Sequence, residues 1–230
     1  MTAPGKAKES SWHPYPESEQ EAQVMAEIRT GHAGEPSVWS TRDLMVIAAI
    51  GVALGVVLVP VIYATMALHA ALGPLGMASI WGLYVVPLLV ATRVMRRPGA
   101  ALLTSLLVPL VQLPFGPGGW IMLLLWLPAG LACEAPFFLT RYRSLGLPTL
   151  MVADALASLA FIAHMYLFIG FFDLALGVQV ALVAVPLLSG ALLGGVPAKL
   201  LSGALTKTGV LSGYAVFAAD AGAPEGRSRA

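Results

Sequence analysis

The chain has 230 residues, of which 58% are apolar and only 11% charged, with a mean hydropathy of +0.82. A soluble domain carries roughly 25% charged residues, so this chain cannot clothe a globule of its size in polar groups, and lipid must solvate much of its surface. A net charge of +1 argues against a nucleic-acid partner. The single cysteine, Cys133, excludes an internal disulfide, and no Cys/His spacing suggests a metal site.

Residues 1–39 differ in composition from the rest of the chain. Lys6, Lys8 and Arg29 stand against Glu9, Glu17, Glu19, Glu21, Glu27 and Glu35, prolines punctuate the stretch, and no apolar run occurs. The expectation is a disordered cytoplasmic tail, neither signal peptide nor membrane span. Residues 216–230 read the same way, leaving residues 40–215 as a transmembrane domain.

Within that domain charge almost vanishes: no Asp, Glu, Lys or Arg lies between Asp43 and Arg93, or between Arg97 and Glu134. A membrane helix needs about 20 mostly apolar residues. The pattern predicts an all-α bundle of six spans at 43–66, 77–95, 100–114, 119–140, 148–171 and 177–204, the third being short. Arg42, Arg93, Arg96, Arg97, Arg141, Arg143, Lys199 and Lys207 lie at alternate ends of these spans, whereas 67–76, 114–119 and 172–176 hold no Lys or Arg. The positive-inside rule then places both termini in the cytoplasm. Pro60, Pro87, Pro109, Pro128, Pro136, Pro186 and Pro197 fall within the spans and predict bent helices, packed irregularly or around a cavity.

The chemistry-bearing residues are few. There is no phosphate-binding G-x-x-x-x-G-K-[ST] loop and no H-E-x-x-H motif, and Ser189 lacks a G-x-S-x-G setting that would pair it with His164 as a nucleophile. In the first span, Ala49, Gly51, Ala53 and Gly55 place small residues four apart, a spacing that admits another helix from this bundle or from a partner. Glu134 and Asp154 lie toward the basic end of their spans, where a structural pairing, with Arg97 or with helix ends, is expected. Near the opposite end, Trp81, Tyr84, Gln112, Trp126 and His164 combine aromatic faces with hydrogen-bonding groups. They form either an interfacial belt, the reading preferred for Trp120, or a pocket that stacks a flat heterocycle and bonds its edge.

Five segments in order carry a family likeness: Trp81-Gly82-Leu83-Tyr84; Arg96-Arg97-Pro98-Gly99-Ala100-Ala101-Leu102; Gly130-Leu131-Ala132-Cys133-Glu134 with Arg141-Tyr142-Arg143; Leu188-Ser189-Gly190-Ala191-Leu192-Leu193; and Thr208-Gly209-Val210-Leu211-Ser212-Gly213. Over residues 42–215 the chain resembles the YkoE family of substrate-binding (S) components of energy-coupling factor (ECF) transporters. The resemblance implies a six-helix subunit of an ABC-type importer in the bacterial plasma membrane that captures thiamine or a precursor from outside. It also implies a transmembrane coupling subunit and two ATP-binding subunits or domains as partners, toppling of the S component as the transport step, and no cofactor. It favours Ala49, Gly51, Ala53 and Gly55 as the partner face. Members commonly carry two glutamates where this chain has Ser105 and Gln112, a glutamine at Ala129, and a polar aromatic–acid pair at His164-Met165. Without the outer glutamate, a neutral pyrimidine precursor or another small vitamin fits better than cationic thiamine. A membrane scaffold without thiamine affinity is the competing reading, and an enzyme is disfavoured.

Overall fold

The structure, a computed structural model, describes residues 39–116 and 119–207. The two expected tails lie outside these residues, apart from Trp39, as does the last motif at 208–213. From Thr41 onward the described fold is helical. Helix α1 (Thr41–Val57) runs on into α2 (Val59–Leu72), followed by α3 (Pro74–Ala78), α4 (Gly82–Met95), α5 (Ala100–Gln112), α6 (Ile121–Leu139) and α7 (Leu147–Ile169). A 3-10 turn (Phe171–Asp173), α8 (Leu176–Ser189), a π-helical segment (Gly190–Gly195) and α9 (Val196–Lys207) complete it.

Among the described residues, five stretches are long and apolar enough to cross a membrane: Thr41–Leu72, Pro74–Met95, Ile121–Leu139, Leu147–Phe168 and Leu176–Lys207. The expected third span is the shorter Ala100–Gln112. Its 13 residues make about 20 Å at 1.5 Å per residue, less than the roughly 30 Å hydrocarbon core.

The first stretch is instead longer than expected, at 32 residues or about 48 Å. Pro60 interrupts it by lacking the N–H its helical turn requires, yet Leu58 N still donates to Leu54 O at 3.0 Å and Ile62 N to Leu58 O at 3.1 Å. The expected loop at 67–76 is largely helical because the good helix formers Ala67, Leu68, Ala70, Ala71 and Leu72 fill it up to Gly73. There the chain turns sharply: Gly73 has φ 67°, donates to His69 O at 2.8 Å, and hands over to Pro74 at the start of α3.

Helix α4 is the centre of the bundle. Val85, Leu88, Leu89, Val90, Ala91 and Val94 are fully buried around its circumference, and it contacts α1, α5, α6, α7, the π segment and α9. In lipid, helices gain little from hiding apolar surface and associate through close packing. Glycine makes this possible. A Cβ at Gly82 would lie 2.7 Å from the carbonyl oxygen of Ser189 and 2.8 Å from Gly190 Cα, and one at Gly194 would overlap the carboxylate of Asp154.

The small-residue face of α1 divides in two. Gly51 and Gly55 are buried against α5, where added Cβ atoms would stand 3.0 Å from Leu107 Cβ and 3.3 Å from Val111 Cβ. Both glycines pack internally against α5, one of the two placements the spacing allowed, whereas Ala49 and Ala53 are exposed. Glycines four apart on one stripe and alanines four apart on the next point in different directions, and only the glycines meet a helix closely.

Candidate functional site

The two ends of the bundle are built differently. At the end carrying the arginines, side chains tie the junctions together. Arg97, in the α4–α5 connection, bridges to Asp43 of α1 at 2.8 Å. Glu134 of α6 receives the backbone N–H of Gly99 and of Leu102, the latter at 3.3 Å, and so caps α5 with a negative charge at its N-terminus. The Tyr142 hydroxyl donates to the same carboxylate at 2.6 Å. Burial, and then this bond to Glu134, push the Tyr142 phenol well above its ordinary value. Glu134 thus pairs with a helix end, while Arg97 pairs with Asp43. Asp154 is wholly buried, with Oδ1 accepting from Ser158 at 3.4 Å and Oδ2 without a hydrogen-bond partner against Gly194. Among the described residues no three His, Cys, Asp or Glu side chains gather to hold a metal.

At the opposite end the helices part around a cavity of ≈ 220 Å³, lined by neither Glu134 nor Asp154. Its wall uses the starts of α4 and α6 and the ends of α5 and α7, the arrangement antiparallel neighbours produce when all converge on one face. Trp81, Tyr84, Gln112 and Trp126 line it together, bringing four of the five residues singled out in the sequence to one place. The aromatic rings brace one another: Trp126 is edge-on to Phe161 at 5.7 Å and to Tyr84 at 6.1 Å, and Trp81 lies 6.0 Å from Phe161. Such contacts hold the rings without filling the space between them. Trp120 is 68% exposed and outside the wall.

His164 is the exception. It stacks on Phe168 at 4.3 Å, is not among the lining residues, and its place is held by Phe161 and Met165, three residues before and one after it. At a helical 100° per residue, one position is enough to turn a side chain out of a cavity. Ser105 and Ala129 are buried, and a Cβ at Gly130 would overlap Ser105 Oγ. Gln112 is among the residues that line the cavity.

Sequence reasoning missed the contribution of α2 and α3. Ile62, Thr65, Met66 and Met77 line the cavity because the first stretch exceeds a membrane span and folds back at Gly73. The signal available is the helix-forming run up to Leu72. Tyr63 fastens α2 to the α5–α6 connection by donating to Phe115 O at 3.0 Å.

The polar atoms of the cavity are few and specifically placed. Gln112 is 6% exposed, and its Nε2 has no hydrogen-bond partner. Tyr84 Oη is 2.8 Å from Thr65 Oγ1. None of the lining residues is charged. A buried amide nitrogen left without a partner costs on the order of 1–3 kcal/mol. The arrangement suits stacking and hydrogen bonding of a planar, uncharged ring and offers no nucleophile.

Known membrane transport proteins share this architecture. The family described as "ABC-type cobalt transport system, permease component" matches residues 42–160. The chain is 30% identical over 179 residues to the protein of Bacillus subtilis (strain 168) that carries the name HMP/thiamine permease protein YkoE, covering 77% of this chain and 90% of that one. The chain belongs to the YkoE-like family of ECF transporter S components. A solved structure, "Crystal structure of an S-component of ECF transporter", superposes with a TM-score of 0.77 at 29% identity, over 80% of this chain and 94% of that one. This YkoE-like S component is accordingly a multi-pass membrane transporter subunit, and its relatives are transport proteins, not enzymes.

Proposed function

We propose that this S component captures a thiamine-related aminopyrimidine, with hydroxymethylpyrimidine (HMP) preferred to thiamine itself. The observation that carries the reading is Gln112, a buried primary amide among the residues that line an uncharged, aromatic-walled cavity. A primary amide sets a donor beside an acceptor, the complement of a ring nitrogen beside an exocyclic amine. Trp81, Tyr84 and Trp126 supply faces and edges for the ring. Thiamine adds a permanent positive charge, and no lining residue offsets it; burying an unpaired charge is far more costly than burying a neutral ring. The name of the B. subtilis relative, HMP/thiamine permease, is consistent with either ligand.

In this reading the chain crosses the membrane six times, with α5 as the short pass, and both termini lie in the cytoplasm. The arginine-bearing junctions face inward and the cavity opens outward. A transmembrane coupling subunit and two ATP-binding subunits drive release by toppling the loaded S component. The exposed Ala49–Ala53 side of α1 is where the coupling subunit docks. The test is a titration of the purified full chain with HMP, thiamine and the thiazole precursor, followed by tryptophan fluorescence from Trp81 and Trp126. HMP should give a saturable change at the lowest concentration and the thiazole none. Silence toward both pyrimidines, or a response to the thiazole alone, overturns the assignment.

A further inference from the structure

Thr65 and Tyr84 come from different helices, α2 and α4, and meet inside the cavity wall. Thr65 Oγ1 lies 2.7 Å from the carbonyl oxygen of Val61, four residues earlier in its own helix, and donates to it. A threonine hydroxyl has one hydrogen, so that bond uses its only donor. The 2.8 Å contact between Thr65 Oγ1 and Tyr84 Oη must then run the other way: the phenol donates and the threonine accepts. Tyr84 likewise has a single hydroxyl hydrogen. Its oxygen is left with acceptor capacity alone, and Tyr84 and Thr65 both line the cavity.

We propose that Thr65 is a positioning residue that orients the Tyr84 hydroxyl as a pure acceptor, making the cavity select pyrimidines with an exocyclic amino donor over their oxo analogues. The inference rests on the aminopyrimidine reading above and adds to it the group that distinguishes amine from carbonyl. The wall offers one fixed acceptor at Tyr84. An exocyclic amine satisfies it. In the oxo analogue the carbonyl replaces the amine, so an acceptor confronts an acceptor. Sites built around buried hydrogen-bonding groups reject mismatched ligands strongly, because the groups on both sides are left desolvated and unpaired.

The test compares dissociation constants of the full-length protein for HMP and for the analogue in which a ring carbonyl replaces the amino group. The wild type should favour HMP by roughly 10-fold or more. Thr65→Val keeps the shape but removes the acceptor, freeing the Tyr84 hydroxyl to rotate and donate. The preference should fall to within about 3-fold, chiefly through tighter binding of the oxo analogue. Thr65→Ser, which retains the hydroxyl, should keep the preference, a rescue that a purely structural role would not require. Tyr84→Phe removes the discriminating oxygen and should also flatten the ratio, which keeps the proposal testable if Thr65→Val does not fold. If the wild type binds HMP but Thr65→Val or Tyr84→Phe keeps its full discrimination, the acceptor role is wrong while the aminopyrimidine reading stands. If the wild type binds neither pyrimidine, both fall.

Discussion

Gln112 is where the substrate proposal can be separated from the fold. Its side chain is buried but caps no helix and bridges no junction, so its replacement should spare the bundle. Gln112→Leu is expected to weaken HMP binding by about 10- to 100-fold, the effect of one or two lost buried hydrogen bonds, with an unchanged elution profile in size-exclusion chromatography. Gln112→Glu places a carboxylate at the cavity wall and should shift preference toward thiamine by on the order of 10-fold, measured as the ratio of the two dissociation constants. At the other end, Glu134 accepts from two backbone N–H groups and from Tyr142. Tyr142→Phe should lower the thermal midpoint with no change in ligand preference. The pH dependence of that loss follows from burial and Glu134 raising the phenol in the folded state. A raised group contributes stability that is complete below its unfolded value, about 10 for tyrosine, and that disappears as pH climbs toward the folded value. The difference between wild type and Tyr142→Phe should therefore be constant from about pH 7 to about 9.5 and shrink only in stronger alkali.

Two kinds of small-residue contact operate on these helices, and they make opposite predictions. Where a glycine meets backbone or a buried carboxylate, there is no side chain to yield. Gly82→Ala and Gly194→Ala should each destabilise the bundle by about 1–3 kcal/mol or more, the usual cost of overpacking, read as reduced folded yield and thermal midpoint. Gly51→Leu and Gly55→Leu belong with them, since α5 fills the space beside both. Ala49→Leu and Ala53→Leu, on the exposed side of α1, should leave the isolated subunit folded and loaded with ligand while reducing co-purification with the coupling subunit. The sequence does not distinguish these sets, because a four-residue spacing says that a helix can approach but not from which side. Element ends are legible where charge or proline marks them, as at Arg96–Ala100 and Arg141–Pro148. They are not legible at 67–76, where the helix-forming run outlasts the length a membrane helix needs and Gly73, not the membrane boundary, ends it.

At the scale of the whole molecule, among the described residues, the basic side chains of the helix junctions and the aromatic cluster lie at opposite ends, and this much can be read directly from the order of residues. The run from Trp81 to Arg97 already contains both: a cavity wall at its start and an ionic tie at its end, at opposite ends of one helix. Four of five expected cavity residues converge because antiparallel helices return their equivalent depths to one layer. His164 escapes because depth alone does not fix which way a helical side chain faces, and Thr65 is hidden because its partner is 19 residues away on another helix. The architecture resembles a vessel closed at the arginine end by Asp43, Arg97, Glu134 and Tyr142, with a neutral, aromatic-walled space at the other. In the function proposed above, this space holds an aminopyrimidine through Gln112. Native mass spectrometry of the full chain equilibrated with HMP tests it most directly. A one-to-one adduct in the wild type that is largely lost in folded Gln112→Leu is the predicted result; an adduct of equal abundance in both, or in neither, would contradict it.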